Sequence, residues 1–232
     1  IAHSGGVLYR AGHTEAGCDL ASLAGTTPAS VICEILNDDG SMARLPDLIK
    51  FSKKHGIKIG TIADLIEYRS KKEKLIKKIS EEELSTEFGM MKLIVYSDLL
   101  SKNTHLAFVK GTIKKDDEVI VRVHEPLSIL DFVSKETPHS WPPLKALKKI
   151  SDEKNGVVIF LNYNESQNNI TSKLNHENIT LKKSTDLRSY GIGSQILVDI
   201  GVSKMKLLAA PRKMPSMAGY GLQVTEFIEN NM

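Results

Sequence analysis

Arg10, His13 and Thr14 gather at the point where the sequence predicts a helix to begin, and that combination suits an anion. The first N–H groups of a helix lack carbonyl partners and lie at the positive end of its dipole. An arginine contributes a fork that matches phosphate oxygens, and a threonine contributes a hydroxyl donor. One reading is a phosphate cradle over Arg10, Ala11, Gly12, His13 and Thr14; ordinary helix capping is the other. Glu15, in the first turn, is expected only to complement the dipole.

A second candidate is Glu34, which interrupts the apolar run Val31-Ile32-Cys33 and Ile35-Leu36. If that run is a buried strand, the carboxylate must be paired, metal-linked or protonated, and a carboxylate so placed is a candidate acid or base. If it is an edge strand, Glu34 faces water. Cys33 reads as a small core residue, because no base is evident beside it.

The elements that must position these groups follow from the hydrophobic pattern. Helices are expected over residues 12–25, stopped by Gly25, and 45–55, stopped by Gly56, with a third starting near Ala63. Strands are expected over residues 31–36 and 57–62, with a turn at Asn37-Asp38-Asp39-Gly40. The third helix is expected to continue through residues 69–80, and the charge block over 71–86 reads as a linker. Beyond it, strands are expected at 92–96, 105–111, 119–124, 157–161, 206–209 and 222–228, with helices near 144–150 and 189–200. This is an α+β chain, mixed in character and divided into two domains, residues 1–70 and 87–232, about the linker 71–86.

Composition narrows the function classes. Among 232 residues, 31 basic side chains face 28 acidic ones, so no global field points to nucleic acid. No apolar run approaches the roughly 20 residues that span a bilayer, and no charged-then-apolar leader opens the chain, so no membrane partner is expected. Cys18 and Cys33 follow neither metal-ligand nor disulfide-scaffold spacing, which points to a cytoplasmic protein acting on a small molecule. The chain opens on Ile1, and the expectation is that it is part of a longer polypeptide.

The stretches Arg10-Ala11-Gly12-His13-Thr14-Glu15-Ala16, Leu23-Ala24-Gly25, Val31-Ile32-Cys33-Glu34-Ile35, Asn37-Asp38-Asp39-Gly40-Ser41-Met42-Ala43-Arg44 and Ile62-Ala63-Asp64-Leu65-Ile66 resemble the C-terminal half of 3,4-dihydroxy-2-butanone 4-phosphate synthase. The resemblance implies a riboflavin-pathway lyase that rearranges ribulose 5-phosphate and excises C4 as formate. It implies that Arg10, Ala11, Gly12, His13 and Thr14 contact the sugar phosphate, that His13 ligates Mg²⁺ or Mn²⁺, and that Glu34 is essential to the chemistry. A homodimer is implied too. The family's acidic cluster, which completes the metal shell, is not in this sequence, so the chain alone is expected to release no formate.

The stretches His105-Leu106-Ala107-Phe108-Val109-Lys110-Gly111, Val121-Arg122-Val123-His124, residues 186–197 and Gly219-Tyr220-Gly221-Leu222-Gln223-Val224 resemble GTP cyclohydrolase II. Active members hold zinc through three cysteines after the VRVH strand, but residues 125–150 contain none, so zinc is not expected. His124 and His139 are read as ordinary strand or loop residues. Asp186 and Arg188 match the family's proton-acceptor and nucleophile positions, and are read as vestigial. The expectation is therefore a synthase with an inactive cyclohydrolase-like domain. The alternatives are a non-catalytic nucleotide-binding or regulatory module, to which the basic patch over 71–78 could contribute, and an active GTP cyclohydrolase II.

Overall fold

The computed structural model describes residues 1–125, 130–133, 141–162 and 190–230. A 3-10 turn at Gly6–Leu8 leads into helix α1, His13–Leu23, entered from an extended Gly12. Helix α2, Leu45–His55, carries Pro46 in its first turn and Lys53, Lys54 and His55 in its last, then stops at Gly56 in the left-handed region, φ 65°. Helix α3, Ile62–Ser70, starts in a capping box: Thr61 Oγ1 accepts from Asp64 N at 3.1 Å while Asp64 Oδ2 accepts from Thr61 N at 3.3 Å.

Helix α3 ends at Ser70, well short of the expected residue 80, and strand β1, Ile76–Thr86, occupies most of the predicted linker. A two-residue turn at Glu87 and Phe88 brings it back against β2, Gly89–Asp98, with Thr86 opposite Gly89. The charge block that suggested a linker is the polar surface of a sheet edge. Glu81 pairs with Lys92 on the neighbouring strand at 2.6 Å and with Lys78 at 2.9 Å. Charged edges of this kind resist pairing with other chains.

Beyond β2 run β3, Thr104–Lys110; β4, Glu118–His124; the short helix α4, Leu130–Val133; α5, Pro143–Ser151; β5, Gly156–Phe160; α6, Tyr190–Ile200; β6, Lys204–Leu208; a 3-10 segment, Pro215–Tyr220; and β7, Gln223–Ile228. The seven strands form one sheet in the order β1-β2-β3-β5-β4-β6-β7. The β1-β2-β3-β5 side is antiparallel; β5, β4, β6 and β7 run parallel. Successive residues of β4 face opposite sides of the sheet: Ile120 meets Trp141, Ala146, Leu147 and Ile150 of the α5 layer, whereas Val119 and Val121 meet Ile192, Ile196 and Leu197 of α6.

The α6-side core does not stop at the sheet. Val7, Leu8 and Ile66 belong to it and are essentially inaccessible to water. Two expected strands are absent from their places. Residues 31–36 contribute one isolated bridge, Leu36 to Met42, and residues 57–60 have no regular structure. Val31, Ile32, Ile57 and Ile59 are exposed. Their apolar pattern suits a sheet, but a strand forms only where a neighbour shares its backbone hydrogen bonds, and among the described residues no strand pairs with them beyond the Leu36–Met42 bridge.

Candidate functional site

The mouth of α1 is set by local bonds. Tyr9 N and Arg10 N both donate to Gly6 O at 3.0 Å, and Gly12 N donates to Arg10 O at 2.8 Å, which turns the chain sharply into the helix. Gly12 offers no side-chain cap. Glu15 takes that place: its carboxylate folds back over Gly12, so close that a Cβ there would meet Oε2 at 2.4 Å. It accepts from His3 N at 2.9 Å and is ion-paired with Arg10. Glu15 is thus more than the dipole complement expected of it. It is 1% exposed, and a buried carboxylate needs partners. Burial pushes its pKa up, but the Arg10 bond and the His3 N–H outweigh that and leave it below the usual value.

His13 stands exposed at the first position of α1, with Ala11, Gly12 and Thr14 half-buried around it. Glu34 is also exposed, which answers the alternative posed by the sequence on the side of a solvated carboxylate in this chain. Its segment nevertheless runs alongside α1. Gly17, one turn beyond His13, abuts Ser30 so closely that a Cβ there would fall 2.0 Å from Ser30 Oγ and 3.6 Å from Ile32 Cγ2. Cys33 is exposed as well, not the core residue expected, because the run that holds it is not covered.

Among the described residues no three His, Cys, Asp or Glu side chains converge as a metal-holding group. One imidazole does not make the near-octahedral, oxygen-rich shell that Mg²⁺ demands, so the donors described on this chain do not by themselves fit the ion.

Sequence reasoning missed the buttress behind α1. Arg69 Nη1 donates to Asp19 Oδ2 at 2.7 Å and to Gly5 O at 3.2 Å, and its other arm pairs with Glu73. Asp19 Oδ2 also accepts from Val7 N at 2.8 Å. Arg69 thereby ties α3, α1 and the 3-10 turn together. It opens the stretch 69–80 in which the third helix was expected to continue, and only its i,i+4 spacing to Glu73 was available as a signal.

On the sheet, His124 ends β4 fully buried, its Nε2 2.9 Å from Asp131 Oδ2. Arg122, two residues earlier on the same face, donates to Leu208 O at 2.9 Å. Burial, with Arg212 nearby, lowers its pKa to about 10 against the pull of Asp131. His139, Asp186 and Arg188 lie outside the described residues. A groove of about 460 Å³ is lined by Glu118, Lys149, Asn155, Lys206 and Glu226 among others, and includes none of the predicted site residues.

Residues 1–68 match the family model of 3,4-dihydroxy-2-butanone 4-phosphate synthase, and residues 77–229 match that of GTP cyclohydrolase II. The chain is 48% identical over 228 residues to a 3,4-dihydroxy-2-butanone 4-phosphate synthase of Neisseria meningitidis serogroup B, covering 98% of this chain and 63% of that protein. It is 44% identical over 240 residues to the riboflavin biosynthesis protein RibBA of Aquifex aeolicus, covering 97% of this chain and 59% of that one. The crystal structure of RibBX, a two-domain 3,4-dihydroxy-2-butanone 4-phosphate synthase from A. baumannii, superposes with a TM-score of 0.58 at 41% identity. That match spans 98% of this chain and 62% of the other. The chain thus spans about three-fifths of the length of these relatives.

Proposed function

This chain belongs to the GTP cyclohydrolase II family and carries a 3,4-dihydroxy-2-butanone 4-phosphate synthase segment ahead of that match, and we propose that it serves riboflavin synthesis as part of a polypeptide converting ribulose 5-phosphate to 3,4-dihydroxy-2-butanone 4-phosphate and formate. The observation that supports this reading best is the mouth of α1. Exposed His13 and the turn Arg10-Ala11-Gly12 stand together there, and the segment bearing Glu34 runs along the same helix.

In this reading the substrate's phosphate lies against Arg10 to Thr14, held by the guanidinium, the Thr14 hydroxyl and the helix N-terminus. Glu34 is placed to move a proton on and off the sugar as the enediol forms. A divalent ion would stabilise developing oxyanion charge; His13 would supply one donor to it, and the remaining ligands would come from outside the residues described. Formation of the enediol and loss of C4 as formate conserve every atom of the sugar phosphate. The active form is a homodimer in the cytoplasm; among the described residues no helix is long and apolar enough to cross a membrane.

The GTP cyclohydrolase II-like part is read as non-catalytic, because residues 125–150 hold no cysteine to bind a water-activating zinc ion. Two assays test the whole reading. Formate release from ribulose 5-phosphate with Mg²⁺ is expected from the polypeptide extended by the remaining synthase segment, and not from these 232 residues alone. Turnover by the shorter chain, or formate from GTP with stoichiometric zinc, would overturn the corresponding half.

A further inference from the structure

We propose that the α6 and 3-10 region of the sheet portion is a clamp that positions the Arg10–His13 loop, with Tyr220, Gly191 and Gly219 as its positioning residues; the proposal rests on the synthase reading above. Two contacts converge on the backbone just ahead of that loop, and a third holds α3. The Tyr220 hydroxyl donates to Leu8 O at 2.9 Å in a buried setting. Gly191 lies so close that a Cβ on it would fall 1.8 Å from Leu8 O and 3.2 Å from Tyr9 Cα. Gly219 meets α3 in the same way, with a Cβ there 2.6 Å from Ala63 O and 2.9 Å from Ile66 Cβ.

No side chain larger than hydrogen fits at Gly191 or Gly219 without moving the opposing main chain. The sheet portion therefore grips backbone, and backbone position is what it dictates. The grip reaches the loop through short links. Leu8 is followed by Tyr9 and Arg10, whose N–H groups both bond to Gly6 O, and Gly12 N bonds in turn to Arg10 O. From the other side Asp19 holds Val7 N, and Arg69 holds Asp19 and Gly5 O. Arg10 and His13 thus sit at the end of a hydrogen-bonded lever whose fulcrum, Leu8, is fixed by residues from the cyclohydrolase-like part. A displacement of about 1 Å at a substrate-positioning group is enough to cost binding and rate heavily.

The test uses the extended polypeptide and compares Tyr220→Phe with Tyr96→Phe. Tyr96 is also buried, and its hydroxyl donates to Asp199 at 2.9 Å between β2 and α6, away from the loop. Each variant loses one tyrosine hydroxyl hydrogen bond. The expected result is a KM for ribulose 5-phosphate, and a calorimetric Kd for inorganic phosphate, raised about fivefold in Tyr220→Phe with kcat little changed. Tyr96→Phe, at a similar loss of Tm, should leave both constants unchanged. Gly191→Ala should raise them further. Wild-type constants in folded Tyr220→Phe, or equal rises in both tyrosine variants, overturn the clamp. If the wild-type polypeptide releases no formate, the synthase reading fails, while phosphate Kd still reads the clamp; a wild type that does not bind phosphate sinks both.

Discussion

Residues 20–61 and the seven-stranded sheet are both rich in aliphatic side chains, yet they use them in opposite ways. In the sheet, Val121, Val157, Ile159 and Leu161 are entirely withdrawn from water, whereas Leu20, Val31, Ile32, Leu45 and Ile57 are all more than half exposed. The difference is one of available partners. Every inner strand of the sheet has a neighbour on both sides, and the α5 and α6 layers pack on the sheet's two faces. The run Val31 to Leu36 has one isolated bridge. Apolar patterning records a demand for burial; whether the demand is met depends on what else is present.

The contrast is sharpest in stability. Ile159→Ala should cost about 2–5 kcal/mol in denaturant unfolding of the chain, and Ile57→Ala about 0.5 kcal/mol or less. Equal losses would break the contrast between the two regions. In the extended polypeptide, Glu34→Gln should lower formate release by about a hundredfold or more, while leaving the unfolding midpoint of the 232-residue chain where it was, since Glu34 is exposed there. A fall in both would mean that Glu34 is structural.

Arg69→Ala should destabilise the chain by about 1–3 kcal/mol, because Asp19, Gly5 O and Glu73 lose a shared donor. Proteolysis should then open residues 1–23 before the sheet, which sharpens the boundary between the regions. The smallest effect is with pH. Glu15 and Glu73 have depressed pKa values, Glu15 because Arg10 and His3 N outweigh its burial, Glu73 chiefly through its bond to Arg69. Their contribution is complete above the ordinary carboxylate pKa of 4.5 and is lost as pH falls through the lower folded values. A thermal-melt series in acid should show that loss, and Glu15→Gln should flatten it.

Much of this was legible beforehand. Gly56 as a helix stop and the start of the third helix near Ala63 were readable because helix-end signals are local, and the strands 105–111, 119–124 and 157–161 stand out because buried parallel and central strands are continuous aliphatic runs. The edge strand β1 was hidden, since a strand with two polar faces carries charge rather than alternation. Residues 31–36 misled for the converse reason: the pattern was a strand's, but pairing is a tertiary property. At the candidate site, Arg10, His13 and Thr14 were singled out by type and spacing. Glu15 was read only as a dipole complement, and the supports Asp19 and Arg69 were not found, because an ion pair between α1 and α3 leaves no trace in either helix alone.

The burial of Val7, Leu8 and Ile66 within the sheet's own core has a further consequence for how the molecule can be taken apart. A protease nick between Ser70 and Leu75 would cut the covalent link without separating the pieces, which would travel together until denatured. The seam between the two matched stretches exists along the chain and not in space. Evolution or engineering could not exchange one piece without recutting the surface of the other.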